Sequence, residues 1–171
     1  RMGRSQAVMT PIYEKASKSP RRIVLPEGTE PRIIKAAQLA VDEGIAKPIL
    51  LGKESVIRAT AEEHGYDLEG IEIIDPAKSA KLNPYVEEFY RLRQRKGITR
   101  LYAHQHLTAQ PNYYGAMMVH MADADAMLSG YTSHYPDTIR PALEIIGRDP
   151  RYKKVSGLYA LSFKKETYLL A

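Results

Sequence analysis

An inward-facing arginine, hydroxyl side chains beside a glycine and a complete lack of thiols define the chemistry open to this 171-residue chain. Arg93 is the most informative. In a helical register it follows Phe89 by four and Tyr90 by three, on the apolar stripe, while Arg91 and Arg95 fall on the side of Glu87 and Glu88. A guanidinium turned inward needs a partner. That partner is either a carboxylate of the chain or a ligand phosphate held by the planar fork.

The densest cluster of polar chemistry is residues 129–141, Ser-Gly-Tyr-Thr-Ser-His-Tyr-Pro-Asp-Thr-Ile-Arg-Pro. Gly130 admits close approach of a ligand to the backbone, and Pro141 confines Arg140 to the mouth of a following helix. Ser129, Gly130, Asp137, Thr138 and Arg140 are therefore candidate ligand contacts. Asp137 as an N-cap and Pro136 as a turn residue account for the same segment without a ligand. Arg32, next to Pro31 at another helix start, completes the set, since free backbone N–H groups there favour anions. An ordinary helix start with a solvated arginine accounts for it equally well.

Other chemistries are excluded or unsupported. No cysteine is present, so disulfides, thiolate nucleophiles and cysteine metal sites are ruled out. The five histidines, His64, His104, His106, His120 and His134, lack the i, i+4 spacing of a helical metal site, so no metal ligand is expected. Neither a Gly-x-Gly-x-x-Gly nor a phosphate-loop pattern occurs, and no residue is assigned as catalytic. Lys and Arg exceed Asp and Glu by 25 to 20, and the pI is about 9.3, which favours an anionic small molecule. The basic residues are dispersed rather than gathered in a stripe, so nucleic acid is not an expected partner. No apolar run approaches the ~20 residues needed to span a bilayer and no signal-peptide pattern is visible, leaving cytoplasm as the expected compartment.

The elements that must carry these residues alternate. Residues 22–25, 47–51, 71–74 and 126–128 read as strands. Helices are expected from Pro31 to the stop at Gly44, over 54–64, from Leu82 to the stop at Gly97, over 112–120 and over 137–146. In the last of these Ile139, Ala142, Leu143 and Ile146 are expected to point inward. The 112–120 segment is apolar nearly all round and so is expected to be buried. A lead-in helix over 9–18 presents Met9, Ile12, Tyr13 and Ala16 on one side, and residues 155–163 and 167–170 read as two antiparallel strands joined by Lys-Lys-Glu. Strands alternating with helices imply a parallel sheet with right-handed crossovers. Ligands in such sheets sit beyond the carboxyl ends of the strands, which singles out the loops 26–29, 75–79 and 129–137. The opening at Arg1 and the close within a strand-like run lead us to expect that both ends continue in a longer protein.

Six segments, taken in order, resemble the phosphate acetyl/butyryltransferase family. They are Ile-Val-Leu-Pro-Glu at 23–27 with Arg32, then Val-Asp-Glu-Gly-Ile-Ala-Lys-Pro-Ile-Leu-Leu-Gly at 41–52, and Phe-Tyr-Arg-Leu-Arg-Gln-Arg-Lys-Gly-Ile-Thr at 89–99. Tyr-Gly-Ala-Met-Met-Val at 114–119, Ala-Asp-Ala-Met-Leu-Ser-Gly at 124–130 and Asp-Thr-Ile-Arg-Pro-Ala at 137–142 follow. The resemblance implies an α/β fold, a three-layer α/β/α architecture of the isocitrate dehydrogenase type with a mostly parallel sheet. Residues 1–20 would form a lead-in, 21–150 a first subdomain and 151–171 the start of a second. It also implies a homodimer or larger assembly, and it matches Arg32, Arg93 and Arg140 to arginines around a cleft for CoA and acyl phosphate. In active members the CoA thiolate attacks acetyl phosphate, and the groups nearest the chemistry come from the C-terminal half of the domain.

One departure shifts the expected function. Active members carry small hydroxyl residues just before Asp-Thr-x-Arg-Pro, where this chain has His134, Tyr135 and Pro136. Together with residues 1–9 and 155–165, these look like the form fused behind bacterial NADP-dependent malic enzymes. That form implies acetyl-CoA or a related acyl-CoA as ligand, a regulatory and oligomerising role, and NADP with a divalent metal on an upstream domain only. A working phosphate acetyltransferase is the alternative.

Overall fold

A computed structural model of the chain describes residues 4–155, 157–162 and 167–170. After helix α1 (Arg4–Lys18), strand β1 (Arg21–Leu25), helix α2 (Pro31–Asp42), strand β2 (Ala46–Leu51), helix α3 (Glu54–His64) and strand β3 (Glu72–Ile74) follow in strict alternation. The chain then crosses back through α4 (Leu82–Arg93), α5 (Arg100–Ala109) and α6 (Pro111–His120) to the two-residue strand β4 (Ala126–Met127). The four strands form one parallel sheet in the order β3-β2-β1-β4.

Side-chain alternation along the strands explains why this sheet is covered on both faces. Leu25 and Leu50 join Ile34, Ala37, Ile57 and Ala61 of α2 and α3 in one core cluster. Val24, Ile49 and Leu51 point the other way, into a cluster with Phe89 of α4, Leu107 of α5 and Met117 of α6. The result is the expected three-layer α/β/α arrangement, with a nearly continuous apolar run in each central strand as burial on both sides requires. Helix α6 is buried from Asn112 to Met118, as its all-round apolarity predicted. No helix of the described residues is long and apolar enough to cross a membrane.

Between β1 and α2 the chain lies directly on β2. A Cβ added at Gly28 would sit 2.6 Å from the Leu51 carbonyl oxygen and 2.8 Å from the Leu51 nitrogen, so only glycine fits. Gly28→Ala is expected to cost about 1–2 kcal/mol by pushing the loop off the strand, read as a lowered denaturation midpoint.

The structure departs from the sequence reading at two helices. First, α5 has no counterpart in the sequence pattern, because it turns only Ala103 and Leu107 fully inward and carries little amphipathic signal. Its one legible mark is Thr99, the N-cap, whose Oγ1 accepts from the Tyr102 N–H at 3.1 Å. Second, the helix expected over 137–146 begins earlier and changes pitch. Helix α7 (Tyr135–Pro141) has His134 rather than Asp137 as N-cap, and residues 142–146 continue as a π-helical turn. The earlier start and wider turn rotate the inward face to Pro141 and Ile145, leaving Leu143 and Ile146 exposed. The lead-in helix forms as expected, with Met9, Ile12 and Tyr13 exposed. At the other end, β5 (Tyr159–Ser162) and β6 (Thr167–Leu170) pair antiparallel as expected, and the Lys-Lys-Glu connection lies outside the described residues.

Candidate functional site

Strand order fixes where a site belongs. From β1 the chain winds outward through β2 to β3, then returns to add β4 on the opposite side of β1. The carboxyl ends of β1 and β4 therefore flank the point where winding reverses, the usual ligand crevice of an open parallel sheet. The two loops leaving those strands, 26–30 and 128–134, lie side by side there.

Glu27 ties them together. Its Oε2 accepts from the backbone N–H of Gly130 (3.1 Å) and Tyr131 (2.9 Å). Its Oε1 accepts from the N–H groups of Thr132 (2.7 Å) and Ser133 (2.8 Å) and from their hydroxyls at 2.9 and 3.0 Å. Four successive amides converge on one carboxylate, which positive φ at Gly130 (110°) helps to permit. Burial alone would raise the Glu27 pKa, but the amides of Tyr131, Thr132 and Ser133 and the Thr132 hydroxyl outweigh it and hold the carboxyl at about 2.

Asn112, buried at the start of α6, braces the same loop from beneath. It accepts from the Ser129 hydroxyl at 2.7 Å and donates to the Ser133 hydroxyl (3.4 Å) and the Asp137 carbonyl (3.3 Å). Neither Glu27 nor Asn112 was among the residues picked from sequence as contacts, although Glu27 lay in a loop that was. Ser129 and Gly130 are thus engaged with the protein itself, the former through its hydroxyl and the latter through its N–H. Thr138 donates to the His134 carbonyl at 3.4 Å, and the Asp137 residue is exposed. Arg32 is exposed at the start of α2, its guanidinium 5.9 Å from the centre of the Tyr131 ring.

Arg93 and Arg140 do come together. They line an open, solvent-facing cavity of about 400 Å³ with Pro136, Ile139, Leu143 and Glu144. Arg93 is mostly buried, and its Nη2 lies 3.5 Å from Glu144 Oε1. Its Nε is buried without an acceptor among the described residues. Glu144 Oε2 in turn accepts from the Tyr113 hydroxyl at 2.9 Å. Burial of Tyr113 and the adjacent Glu144 carboxylate both push that phenol's pKa up, so it stays a donor. Arg140 has no carboxylate partner among the described residues. Two guanidiniums on one wall, only the first of them set against a carboxylate, suit an anionic ligand. Arg32 does not line this cavity, so the three arginines divide between two places.

The third loop picked from sequence, 75–79, leads elsewhere. It borders an open depression with Lys53, Arg58, Lys78 and Lys81 interspersed with Glu54, Glu72 and Asp75. Charge there is largely balanced at short range, as between Arg58 and Glu54 at 2.7 Å. His120, unremarkable by sequence spacing, lies 2.9 Å from Glu88 Oε1 across α4 and α6.

Comparison with known proteins shows the family. The profile described as phosphate acetyl/butaryl transferase matches residues 7–171. The chain belongs to the phosphate acetyl/butaryl transferase family. Among relatives, a phosphate acetyltransferase of Thermoanaerobacterium thermosaccharolyticum is 43% identical over 156 residues, covering 91% of this chain and 46% of that protein. The NADP-dependent malic enzyme of Escherichia coli is 34% identical over 142 residues, covering 81% of this chain and 19% of the enzyme. A phosphotransacetylase from Streptococcus pyogenes superposes with a TM-score of 0.90 at 32% identity, over 96% of this chain and 50% of that one. Against the first of these relatives and the solved structure, the chain spans about half the length of a phosphate acetyl/butaryl transferase.

Proposed function

We propose that this chain provides the anion-binding part of an acyl-CoA site in a phosphotransacetylase-like domain of an NADP-dependent malic enzyme, where acetyl-CoA or a related acyl-CoA regulates the enzyme and the domain builds the oligomer. The observation that carries the binding site is the cavity shared by Arg93 and Arg140, in which the Glu144 carboxylate reaches only the first of the two guanidiniums. CoA brings a pyrophosphate and a further phosphate, groups for which a forked guanidinium is suited. The loop tied by Glu27 fixes the entry to α7 and so positions Arg140 at the cavity edge.

The regulatory reading draws support from the mouth of α7. His134 caps it through its backbone with no side-chain hydrogen bond, Tyr135 is largely exposed, and Pro136 contributes no N–H. Nothing in these three residues offers a compact hydroxyl to an acyl phosphate. NADP and a divalent metal belong, on this reading, to an upstream domain, and no metal is assigned to this chain. The second reading is a working phosphate acetyltransferase, favoured by the name and the 43% identity of the Thermoanaerobacterium relative.

Calorimetric titration of acetyl-CoA into the full-length protein tests the site. Saturable binding that is competed by free CoA supports it, and no heat at millimolar ligand refutes it.

A further inference from the structure

We propose that Glu144 sets the ligand affinity of the Arg93–Arg140 cavity by acting as a displaceable internal counterion for Arg93. The inference rests on the assignment of that cavity to a phosphate-bearing ligand.

Glu144 lies four residues beyond Arg140, on the π-helical turn that follows α7, and its carboxylate is held from two sides. On one side Tyr113, 4% exposed on α6, donates its hydroxyl to Oε2 at 2.9 Å. That hydroxyl is fixed in the core and cannot follow the carboxylate outward, so it acts as a pin. On the other side Oε1 stands 3.5 Å from Arg93 Nη2. A charge-assisted N–H···O contact of good geometry closes to about 2.7–2.9 Å, so this pair is loose. The buried Nε of Arg93, meanwhile, has no acceptor among the described residues. Arg93 is therefore neutralised but incompletely hydrogen-bonded.

A phosphate group changes this balance. It offers two oxygens in the spacing of the guanidinium fork and can close on the Nη groups at charge-assisted distance, which the pinned carboxylate, at 3.5 Å, does not do. Glu144 would then stand as a like charge beside the bound phosphate. Its presence holds Arg93 in place and shields it from stray anions while the cavity is empty, and it lowers the affinity of every anionic ligand that enters. Arg140, with no carboxylate of its own among the described residues, is the complementary contact that makes displacement of Glu144 worthwhile only for a ligand bearing more than one anionic group.

The test is calorimetric titration of coenzyme A into the full-length protein and its Glu144→Gln and Glu144→Ala variants, with thermal melting to confirm that each is folded. Removing the charge is expected to tighten CoA binding roughly two- to fivefold, the scale of a partly exposed charge pair. Tighter binding in either folded variant supports the proposal, and unchanged or weaker binding in both overturns it. Arg93→Ala and Arg140→Ala in the same series distinguish the role of the cavity from that of Glu144. If they weaken binding while the Glu144 variants do not tighten it, the cavity is the ligand site and Glu144 is only structural. If they leave CoA affinity untouched, the cavity is not the site and the role of Glu144 falls with it.

Discussion

Glu27→Ala should lower the unfolding free energy by about 2–3 kcal/mol and release the amides of residues 130–133 to rapid hydrogen exchange. The reason is the concentration of donors on one carboxylate: four backbone N–H groups and two hydroxyls lose their acceptor at once. A hydrogen bond to a charged group contributes about 1.5–3 kcal/mol. The loop is near solvent, so water recovers part of what six contacts would otherwise lose, and the net loss stays close to that of one or two. CoA affinity should fall as well, because the loop leads into α7 and Arg140. A denaturation midpoint and exchange rates equal to those of the parent protein would contradict this account of Glu27.

The same carboxylate predicts a pH dependence with a defined sign. The folded-state pKa of about 2 lies below the ordinary 4.5, so ionised Glu27 stabilises the fold fully above about pH 4.5. That contribution shrinks as pH falls from there toward about 2. Glu88, held at about 2 by its hydrogen bonds to Arg91 and His120 against the opposing effect of burial, titrates in the same window. The difference in stability between the parent protein and Glu27→Gln isolates the Glu27 part and should narrow on acidification.

The second large effect concerns the two arginines of the cavity. Arg93→Ala and Arg140→Ala should each weaken acetyl-CoA binding by about 1.5–3 kcal/mol, the range of a charged hydrogen bond. The two differ in what else they change. Arg140 is exposed and without a carboxylate partner among the described residues, so its loss should leave the melting temperature in place. Arg93 is mostly buried against Glu144, and its removal leaves that carboxylate facing only Tyr113, so some loss of stability accompanies the loss of affinity. Unchanged affinity in both variants would refute the site.

How much of this was legible in the sequence depends on the range of the interactions. The inward turn of Arg93 could be read from its spacing to Phe89 and Tyr90, because helical periodicity is local. Its partner could not, since Glu144 lies 51 positions away and on a turn whose pitch is not that of an α-helix. The alternation that gives the parallel sheet was plain in residues 21–74. Capture of the 129–133 loop by Glu27 was not, because it follows from β4 pairing beside β1, and strand order is a product of the whole fold. Helix α7 shows a different failure. Asp137 looked like the N-cap because its side chain suits that role, yet the backbone of His134 provides the cap and Pro136 enters the first turn. The resulting rotation exposes Leu143 and turns Glu144 toward Arg93, so the misread phase hid the cavity wall.

The most direct test of the central claim follows malate-dependent NADP reduction and acetyl phosphate formation by the full-length protein while acetyl-CoA is added in the presence of inorganic phosphate. Our account predicts that acetyl-CoA alters the rate of NADP reduction, that Arg140→Ala shifts the effect to higher acetyl-CoA, and that no acetyl phosphate appears. Steady formation of acetyl phosphate with no response of malate oxidation would contradict it and make the protein a working transferase.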